Sequence, residues 1–192
     1  MKKHRVAVLI SGSGSNLQAL IDASQASDYP AEIVLVISNK ETAYGVTRAV
    51  SAKIPAHIIR HVDFPTREEF DAAMDAVLQQ YKVEIVCLAG FMRLLSAGFV
   101  QKWAGKMLNI HPSLLPNFKG ARAVADALAA GAKESGCTVH LVSEEVDAGE
   151  IITQSKVPIL AGDIEEILHQ RIHEQEHILY PLALKKLIAQ IQ

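Results

Sequence analysis

Cysteine is scarce in this 192-residue sequence, neither charge is in surplus, and no hydrophobic run is long. The two cysteines, Cys87 and Cys137, lie in apolar stretches without the paired spacing of a zinc site, so we expect buried thiols in a reducing cytoplasm. A formal net charge of −2 offers no basic surface for nucleic acid or membrane. No apolar segment approaches the roughly 18–20 residues that cross a bilayer. The short apolar stretch 6–11 is followed by no signal-peptide pattern.

Repeats, low-complexity segments and linkers are also missing, so we predict a single domain over residues 1–192. The first half alternates between strand-length apolar runs and stretches with helical spacing. Thr66, followed by Glu69, fits a capping box. Continuous apolar strands alternating with helices indicate a Rossmann-like α/β fold, whose mainly parallel twisted sheet has helices on both faces. Strands are predicted over 5–10, 32–38, 56–61, 84–90 and 106–110, and helices over 16–25, 42–53, 66–81 and near 96–104.

The second half favours an antiparallel addition to that sheet. A helix over 121–131 precedes strands over 136–145 and 150–160, which the short segment VDAG joins. A last helix begins near Asp163, and Pro181 should kink it or divide it in two. The apolar stripe that packs this helix on the sheet is expected at positions 164, 167, 168, 172, 179, 182, 187 and 191.

The segment SGSGSN (11–16) joins the first strand to the first helix and suits a phosphate. Glycines let backbone N–H groups approach a ligand, and a helix N-terminus adds partial positive charge. No Gly-Lys-Ser/Thr follows, as a Walker loop requires, and Leu17 replaces the third glycine of a dinucleotide fingerprint. We therefore expect a compact phosphate and no nicotinamide cofactor. The alternative is a plain turn with Ser13 or Ser15 as N-cap.

The segment NIHPSLLPNF (109–118) leaves the fifth strand and carries the candidate chemistry. Asn109 and His111 point to the same side because strand residues alternate, and Pro112 keeps His111 extended. An amide beside an imidazole suits a developing oxyanion, and the imidazole can also move a proton. A structural role for both residues in a turn explains the spacing equally well.

The segment EEVDAGE (144–150) offers His111 a partner. A carboxylate from Asp147 would fix the tautomer of His111 and favour the imidazolium form. The sequence alone does not bring the two residues together, and Asp147 is otherwise a simple turn aspartate.

The motifs SGSGSNL, AGFMRLLS, NIHPSLLPNFKG, GCTVHLV, VDAGEII and EQEHILYP occur in this order along the chain. Through them the sequence closely resembles the folate-dependent phosphoribosylglycinamide formyltransferase family of purine synthesis, over about residues 5–187. The resemblance implies a formyltransferase fold and transfer of a formyl group to the amine of glycinamide ribonucleotide. It implies 10-formyltetrahydrofolate as co-substrate, small-molecule partners only, no metal, and a monomer or homodimer.

The resemblance also implies roles for individual residues. Asn109 and His111 would hold the formyl oxygen as it becomes an oxyanion, with His111 as proton donor. Asp147 would favour protonated His111 and carry protons from the attacking amine through water. Residues 1–105 would form a nucleotide-binding half, and residues 106–192 a catalytic and folate-binding half.

Two further sets of residues match the family's binding positions. Taken alone, the FMRLL stretch would be core packing, and Arg67 a solvated residue on a helix's first turn. Residues implied in ribonucleotide binding are Gly14, Ser15, Asn16, His173, Glu174, Gln175 and Glu176. Residues implied in folate binding are Arg67, Met92, Arg93, Leu94, Leu95, Asn109, Val142, Ser143, Glu144, Glu145, Val146 and Asp147.

Departures from the family leave alternatives open. Arg122 and Val124 stand where many relatives have histidine or asparagine and then histidine, close to the cleft by analogy. A catalytically silent nucleotide or folate sensor is therefore one alternative. A metal-binding protein is another, because His169, His173 and His177 form one row on the last helix.

Sister enzymes of the family provide the nearest alternative, which is 10-formyltetrahydrofolate hydrolase. That enzyme normally has an N-terminal regulatory domain, and methionyl-tRNA formyltransferase a C-terminal nucleic-acid-binding domain. Neither pattern occurs in these 192 residues, and GSGSN and HPSLLP favour the purine enzyme.

Overall fold

The structure, a computed structural model that describes residues 2–191, is built on one seven-stranded sheet. Its strands are β1 (His4–Ile10), β2 (Ala31–Ser38), β3 (Ala56–Ile58), β4 (Ile85–Leu88), β5 (Met107–His111), β6 (Glu134–Leu141) and β7 (Ile151–Pro158). Its α-helices are α1 (Ser15–Ser24), α2 (Tyr44–Ser51), α3 (Arg67–Gln80), α4 (Ala97–Lys102), α5 (Ala123–Ala129) and α6 (Glu165–Ile191). A short 3₁₀ helix, His61–Asp63, follows β3.

The strand order is β3-β2-β1-β4-β5-β6-β7. All pairings among the first five strands are parallel, whereas β6 runs antiparallel to both β5 and β7. The predicted mixed sheet is thus confirmed. The carboxyl ends of β1, β4 and β5 therefore meet at one edge, where ligands bind in such sheets.

Apolar side chains cover both faces of the sheet. Along β1, Val8 faces a core cluster shared with α1, α5 and α6, while Leu9 faces a second cluster shared with α3 and α4. The N-cap half of the predicted capping box at the start of α3 is present, since the Thr66 hydroxyl accepts a hydrogen bond from the Glu69 N–H at 3.2 Å, while the Glu69 carboxylate meets the Thr66 hydroxyl at 3.4 Å and not its N–H. No helix within residues 2–191 is long and apolar enough to cross a membrane.

Four predicted strands were too long: β4 is Ile85–Leu88 and not 84–90, β7 is Ile151–Pro158 and not 150–160, and β3 and β6 both end early. β3 ends at Ile58, not at 61, because Ile58 pairs with Ser38, the last residue of β2, and no strand extends beyond it as a partner. β6 ends at Leu141, not at 145, since its ladder with β5 stops at Leu108. The connection from β6 to β7 therefore spans 142–150, well beyond the predicted VDAG turn.

The predicted face of α6 was half wrong. Ile164, Ile167, Leu182 and Ile191 are exposed. The buried stripe includes Glu176 and Tyr180, which are polar, and Ala183, which is small, and the apolar pattern marked none of the three. Its members are Leu168, Ile172, Glu176, Leu179, Tyr180, Ala183, Leu184, Leu187 and Ile188. The helix also continues through Pro181 without division, because packing of this stripe outweighs the one backbone hydrogen bond that proline removes.

We predict that both cysteines are unreactive in the folded protein. Cys87 and Cys137 are free and fully buried, and burial raises the pKa of each thiol to about 12. Since the thiolate is the reactive form, a disulfide reagent at pH 8 should label native protein at least ~100-fold more slowly than protein unfolded in guanidinium, where both thiols should react. Rapid labelling of the native protein would contradict this burial.

Candidate active site

His111 is the last residue of β5 and is only 5% exposed. Its Nε2 lies 2.8 Å from the Phe118 carbonyl oxygen. A carbonyl only accepts, so Nε2 carries a hydrogen and Nδ1 is the nitrogen that faces the cleft. Nδ1 lies 3.3 Å from Oδ2 of Asp147, and it donates to that carboxylate when the ring is protonated.

Asp147 lies in the loop after β6, in left-handed backbone with φ of 51°. Its Oδ2 accepts the Gly120 N–H at 2.8 Å, and its Oδ1 lies 3.6 Å from Nε2 of His140. Burial acts to raise the pKa of Asp147, but the nearby His140 imidazole, the hydrogen bond from Gly120 and the nearby His111 together hold it below its usual value. The side chain is therefore a carboxylate in the neutral pH range.

His140 is a member of this cluster that sequence reasoning missed. It lies on β6 directly across from Asn109, and it is 2% exposed. Its Nδ1 donates to the Leu141 carbonyl at 2.9 Å, which leaves Nε2 to accept from the Asn109 amide at 3.3 Å. His140 thus connects Asn109 to Asp147. The place of His140 in the cluster depends on the register between β5 and β6, which the sequence does not specify.

The loop after β5 covers this cluster. Phe118 and Gly120 both have positive φ, 53° and 88°, which turns the backbone so that one carbonyl meets His111 and one N–H meets Asp147. The Lys119 ammonium pairs with the Glu145 carboxylate at 3.0 Å. The loops after β5 and β6 are therefore bound to each other above the reactive side chains.

The two positions that depart from the family lie outside this cluster. Val124 is buried in the first core cluster, 5% exposed. The Arg122 side chain is 80% exposed and lies 3.9 Å from Asp126 on the same helix. Within residues 2–191, neither side chain makes a hydrogen bond or an ion pair with His111 or Asp147.

The helix α1 begins at the predicted phosphate loop. Its N-cap is Gly14, with φ of 70° and no side-chain cap, so the alternative that made Ser13 or Ser15 the N-cap is wrong. Ser15 and Asn16 open the helix. The Asn16 amide donates to Oε2 of Glu176 on α6 at 2.8 Å, while its buried Oδ1 has no partner within residues 2–191.

Glu176 is a carboxylate buried to 3% exposure at this loop. Burial raises its pKa, although the Asn16 hydrogen bond and the charges of nearby histidines, His111 among them, oppose that rise. Nε2 of His173 lies 3.7 Å from it. The neighbours of Glu176 behave differently: Glu174 is exposed, and Gln175 accepts a hydrogen bond from Ser155 on β7.

The row His169, His173 and His177 stacks ring beside ring, with centroids 4.1 and 6.1 Å apart. Burial lowers the pKa of His169 and of His173. Over the described part of the chain, no three histidine, cysteine or carboxylate side chains converge as metal ligands do.

The loop Met92–Leu95 follows β4, on the opposite side of β5 from the loop 142–147. Met92 and Leu94 are 62% and 57% exposed, and Val146 across the cleft is 48% exposed. Leu95 and Val142 pack at the edge of the second core cluster. The strand order β4-β5-β6 therefore gives Asn109 an apolar wall on each side.

The remaining members of the predicted folate set are polar and lie at the rim. Arg67 and Arg93 are exposed. In the loop after β6, the Ser143 hydroxyl donates to the Glu145 carbonyl at 2.9 Å, and the Glu144 carboxylate accepts from Gln101 at 2.8 Å.

Ser11, at the start of the predicted phosphate loop, connects that loop to the loop after β4. Its hydroxyl accepts the Met92 N–H at 2.8 Å and donates to the Asn39 side-chain oxygen at 2.6 Å. At the far end of the loop after β4, the Ser96 N–H donates to Asp71 at 2.6 Å. The loop after β4 is thus held at both ends by side chains.

Comparison with known proteins assigns the class. Residues 4–184 match the family described as formyl transferase, and the chain belongs to that family. It is 49% identical to phosphoribosylglycinamide formyltransferase of Haemophilus influenzae over 96% of this chain and 86% of the relative. The crystal structure of phosphoribosylglycinamide formyltransferase from Brucella melitensis superposes with a TM-score of 0.92 at 50% identity, covering 96% of this chain and 95% of that one.

A longer relative matches as well. The chain is 55% identical to the human trifunctional purine biosynthetic protein adenosine-3 over 184 residues, which are 96% of this chain and 18% of the relative. The chain thus spans about a fifth of the length of the curated relatives of this kind.

We predict that Ser11→Ala destabilises the fold. The change leaves the Met92 N–H and the Asn39 oxygen without partners in a buried position, which should cost about 1–3 kcal/mol of unfolding free energy. Urea denaturation measures it. The control is Ser13→Ala, an exposed neighbour, which should stay within about 0.5 kcal/mol of wild type. Equal stability of the two variants would mean that the Ser11 connection contributes nothing.

We also predict a pH-dependent contribution from Asp147. Its folded-state pKa lies below the unfolded value of about 3.9, so its stabilising effect is present above that value and is lost as pH falls through the folded pKa. The difference in unfolding free energy between wild type and Asp147→Asn should therefore shrink between about pH 5 and pH 2.5. A difference that stays constant over this range would show that the carboxylate pKa is not depressed.

Proposed function

We propose that this protein transfers the formyl group of 10-formyltetrahydrofolate to the amine of glycinamide ribonucleotide, giving the formylated ribonucleotide and tetrahydrofolate. The observation that carries the proposal is the cluster of Asn109, His111 and Asp147. It lies between the N-terminus of α1 and the apolar side chains of the loops 92–95 and 142–147. The names of the relatives from Haemophilus influenzae and Brucella melitensis support the same activity.

The first step is addition of the substrate amine to the formyl carbon. A C–N bond forms, and the carbonyl π electrons move onto the formyl oxygen. The Asn109 amide donates to that oxyanion the hydrogen that does not face His140, and the Nδ1–H of His111 is shared between the oxyanion and Asp147, since Nε2 of His111 is engaged with Phe118. Removing one such donor typically costs ~2.7–4 kcal/mol of transition-state stabilisation.

The second step is collapse of the tetrahedral intermediate. The electron pair returns from oxygen, the bond from carbon to N10 of the folate breaks, and N10 leaves with that pair and takes up the Nδ1 proton of His111. Asp147 is ionised at neutral pH because its pKa is depressed, so it carries no proton of its own and can receive, through water, the proton that the attacking nitrogen releases.

The ribonucleotide is bound at α1. The phosphate lies at the start of α1, where Gly14, Ser15 and Asn16 stand, and accepts from free backbone N–H groups at the positive end of the helix dipole. Glu176, held by Asn16, accepts hydrogen bonds from ribose hydroxyls. His173 beside it adds a donor, and Glu174 and Gln175 contribute the backbone of the same helical turn.

The folate lies between the loops 92–95 and 142–147. Its flat ring packs between exposed Met92 and Leu94 on one side and Val146 on the other, and backbone groups of Ser143, Glu144 and Glu145 meet its polar edge. Val142 and Leu95 support the two walls from the core. Arg67 and Arg93, exposed at the rim, suit the carboxylates of the glutamate tail.

We further propose that residues 1–192 act as one domain. Residues 1–105 supply the phosphate loop and the first folate wall, and residues 106–192 supply the reactive side chains and the second wall. The substrates are small molecules, no metal takes part, and a monomer or homodimer remains our prediction for the assembly.

A steady-state assay with both substrates tests the proposal. Wild type should be active and should depend on both substrates. His111→Ala and Asp147→Asn should each lose ~10²-fold or more in kcat, because they remove proton transfer and oxyanion contacts. Asp28→Asn, a change of the same kind at an exposed loop position, should keep wild-type kcat.

Three results would overturn the proposal. Deformylation of the folate without the ribonucleotide would indicate a hydrolase. Binding of both substrates without turnover would indicate a sensor. Full activity of Asp147→Asn would remove the carboxylate from the mechanism.

A further inference from the structure

Helix α2 packs across the phosphate loop, although nothing in the sequence marked it as part of the site. Gly45, in the first turn of α2, donates its N–H to the Gly12 carbonyl at 3.0 Å. The approach is close: a side chain at Gly45 would meet the Gly14 Cα at 3.2 Å and the Ile10 side chain at 2.4 Å. Helix α2 therefore lies directly against the loop backbone.

Arg48, one turn further along α2, makes a second connection. Its Nε donates to the Ser13 carbonyl at 2.8 Å, and its Nη1 donates to the Gln18 side chain at 3.3 Å. The Tyr44 ring lies 5.0 Å from the guanidinium carbon and fixes the side chain from the other side. The guanidinium thus joins the loop, α1 and α2.

These contacts determine where the loop N–H groups point. In a planar trans peptide the C=O of one residue and the N–H of the next point in opposite directions. With the carbonyls of Gly12 and Ser13 held by α2, the N–H groups of Ser13 and Gly14 must turn away from it. The Gly14 carbonyl accepts the Gln18 N–H at 2.9 Å and so turns the Ser15 N–H outward as well.

The outward N–H groups have no protein acceptor. Within residues 2–191, the backbone N–H groups of Ser13 and Gly14 make no hydrogen bond, and α1 has no side-chain cap. Asn16 is 8% exposed, and its Oδ1 has no partner in the same part of the chain. Successive free N–H groups around a left-handed residue form a concave anion site.

We propose that Arg48 is a positioning residue for binding of the substrate's phosphate monoester. It acts by holding the Ser13 carbonyl, so that three successive N–H groups face the phosphate before the ligand arrives. The inference rests on the proposed function for the identity of the substrate. It does not rest on it for the chemistry of the site, which any phosphate monoester can probe.

The test compares Arg48→Ala and Arg48→Lys in the steady-state assay. Both should raise KM for the ribonucleotide ~10-fold or more, as loss of a preorganised anion site implies, while kcat and KM for the folate stay within ~2-fold. Lysine keeps the charge but lacks the planar fork that reaches Ser13 and Gln18 together. If Arg48→Lys kept wild-type KM, charge and not placement would explain the effect, and the proposal would be overturned.

Arg5→Ala is a matched control. Arg5 donates to the Tyr81 carbonyl at 3.0 Å and to Glu32 at 2.9 Å, so it makes the same two kinds of bond at the opposite edge of the sheet. Its loss should lower the denaturation midpoint and leave both KM values unchanged. If Arg48→Ala behaved like Arg5→Ala, the role of Arg48 would be structural only, and the proposal would fail.

Binding of inorganic phosphate by calorimetry separates this inference from the proposed function. Weaker phosphate binding by Arg48→Ala in a protein that does not formylate the ribonucleotide would sink the proposed function and keep the positioning role. An active wild type, with equal phosphate binding by wild type and Arg48→Ala, would sink the positioning role alone.

Discussion

The antiparallel pairing of β6 with β5 is the constraint on which the site depends. Because β6 is antiparallel, it ends beside Leu108, near the amino end of β5, and the loop that follows it returns toward His111. The pairing Asn109↔His140 aligns a buried histidine with the amide that it fixes. The same strand then turns into the loop that carries Asp147 to within 3.3 Å of His111. One register thus assembles a cluster from residues 38 positions apart.

Elsewhere in the site, backbone carbonyl groups fix the orientation of the imidazole and of the N–H groups next to them. The Phe118 carbonyl selects which imidazole nitrogen of His111 faces the cleft, and the Gly12 and Ser13 carbonyls select where the loop N–H groups point. Left-handed backbone occurs where these turns are tightest, at Gly14, Phe118, Gly120 and Asp147. Backbone groups therefore orient both the His111 imidazole and the N–H groups of the loop before α1.

Much of this architecture was predictable because its causes are local. Buried parallel strands have continuous apolar runs, and Pro112 marks the extended exit of His111. His140 and Arg48 were not predictable, since their partners depend on strand register and on packing of α2 against a distant loop. The face of α6 was predicted poorly because a buried glutamate and a tyrosine belong to it, while Ile164 and Leu182 face solvent. Hydrophobicity alone does not distinguish these cases.

The bond between Asn16 and Glu176 joins residues 160 positions apart, in the first and last helices. During synthesis the phosphate loop emerges early, but its buried partner arrives only with the final helix. Glu176 carries a desolvated carboxylate that no group earlier in the chain replaces at this place. A chain that ended before α6 would therefore lack part of the proposed ribonucleotide site. Affinity for the ribonucleotide would then mark completed synthesis of the domain.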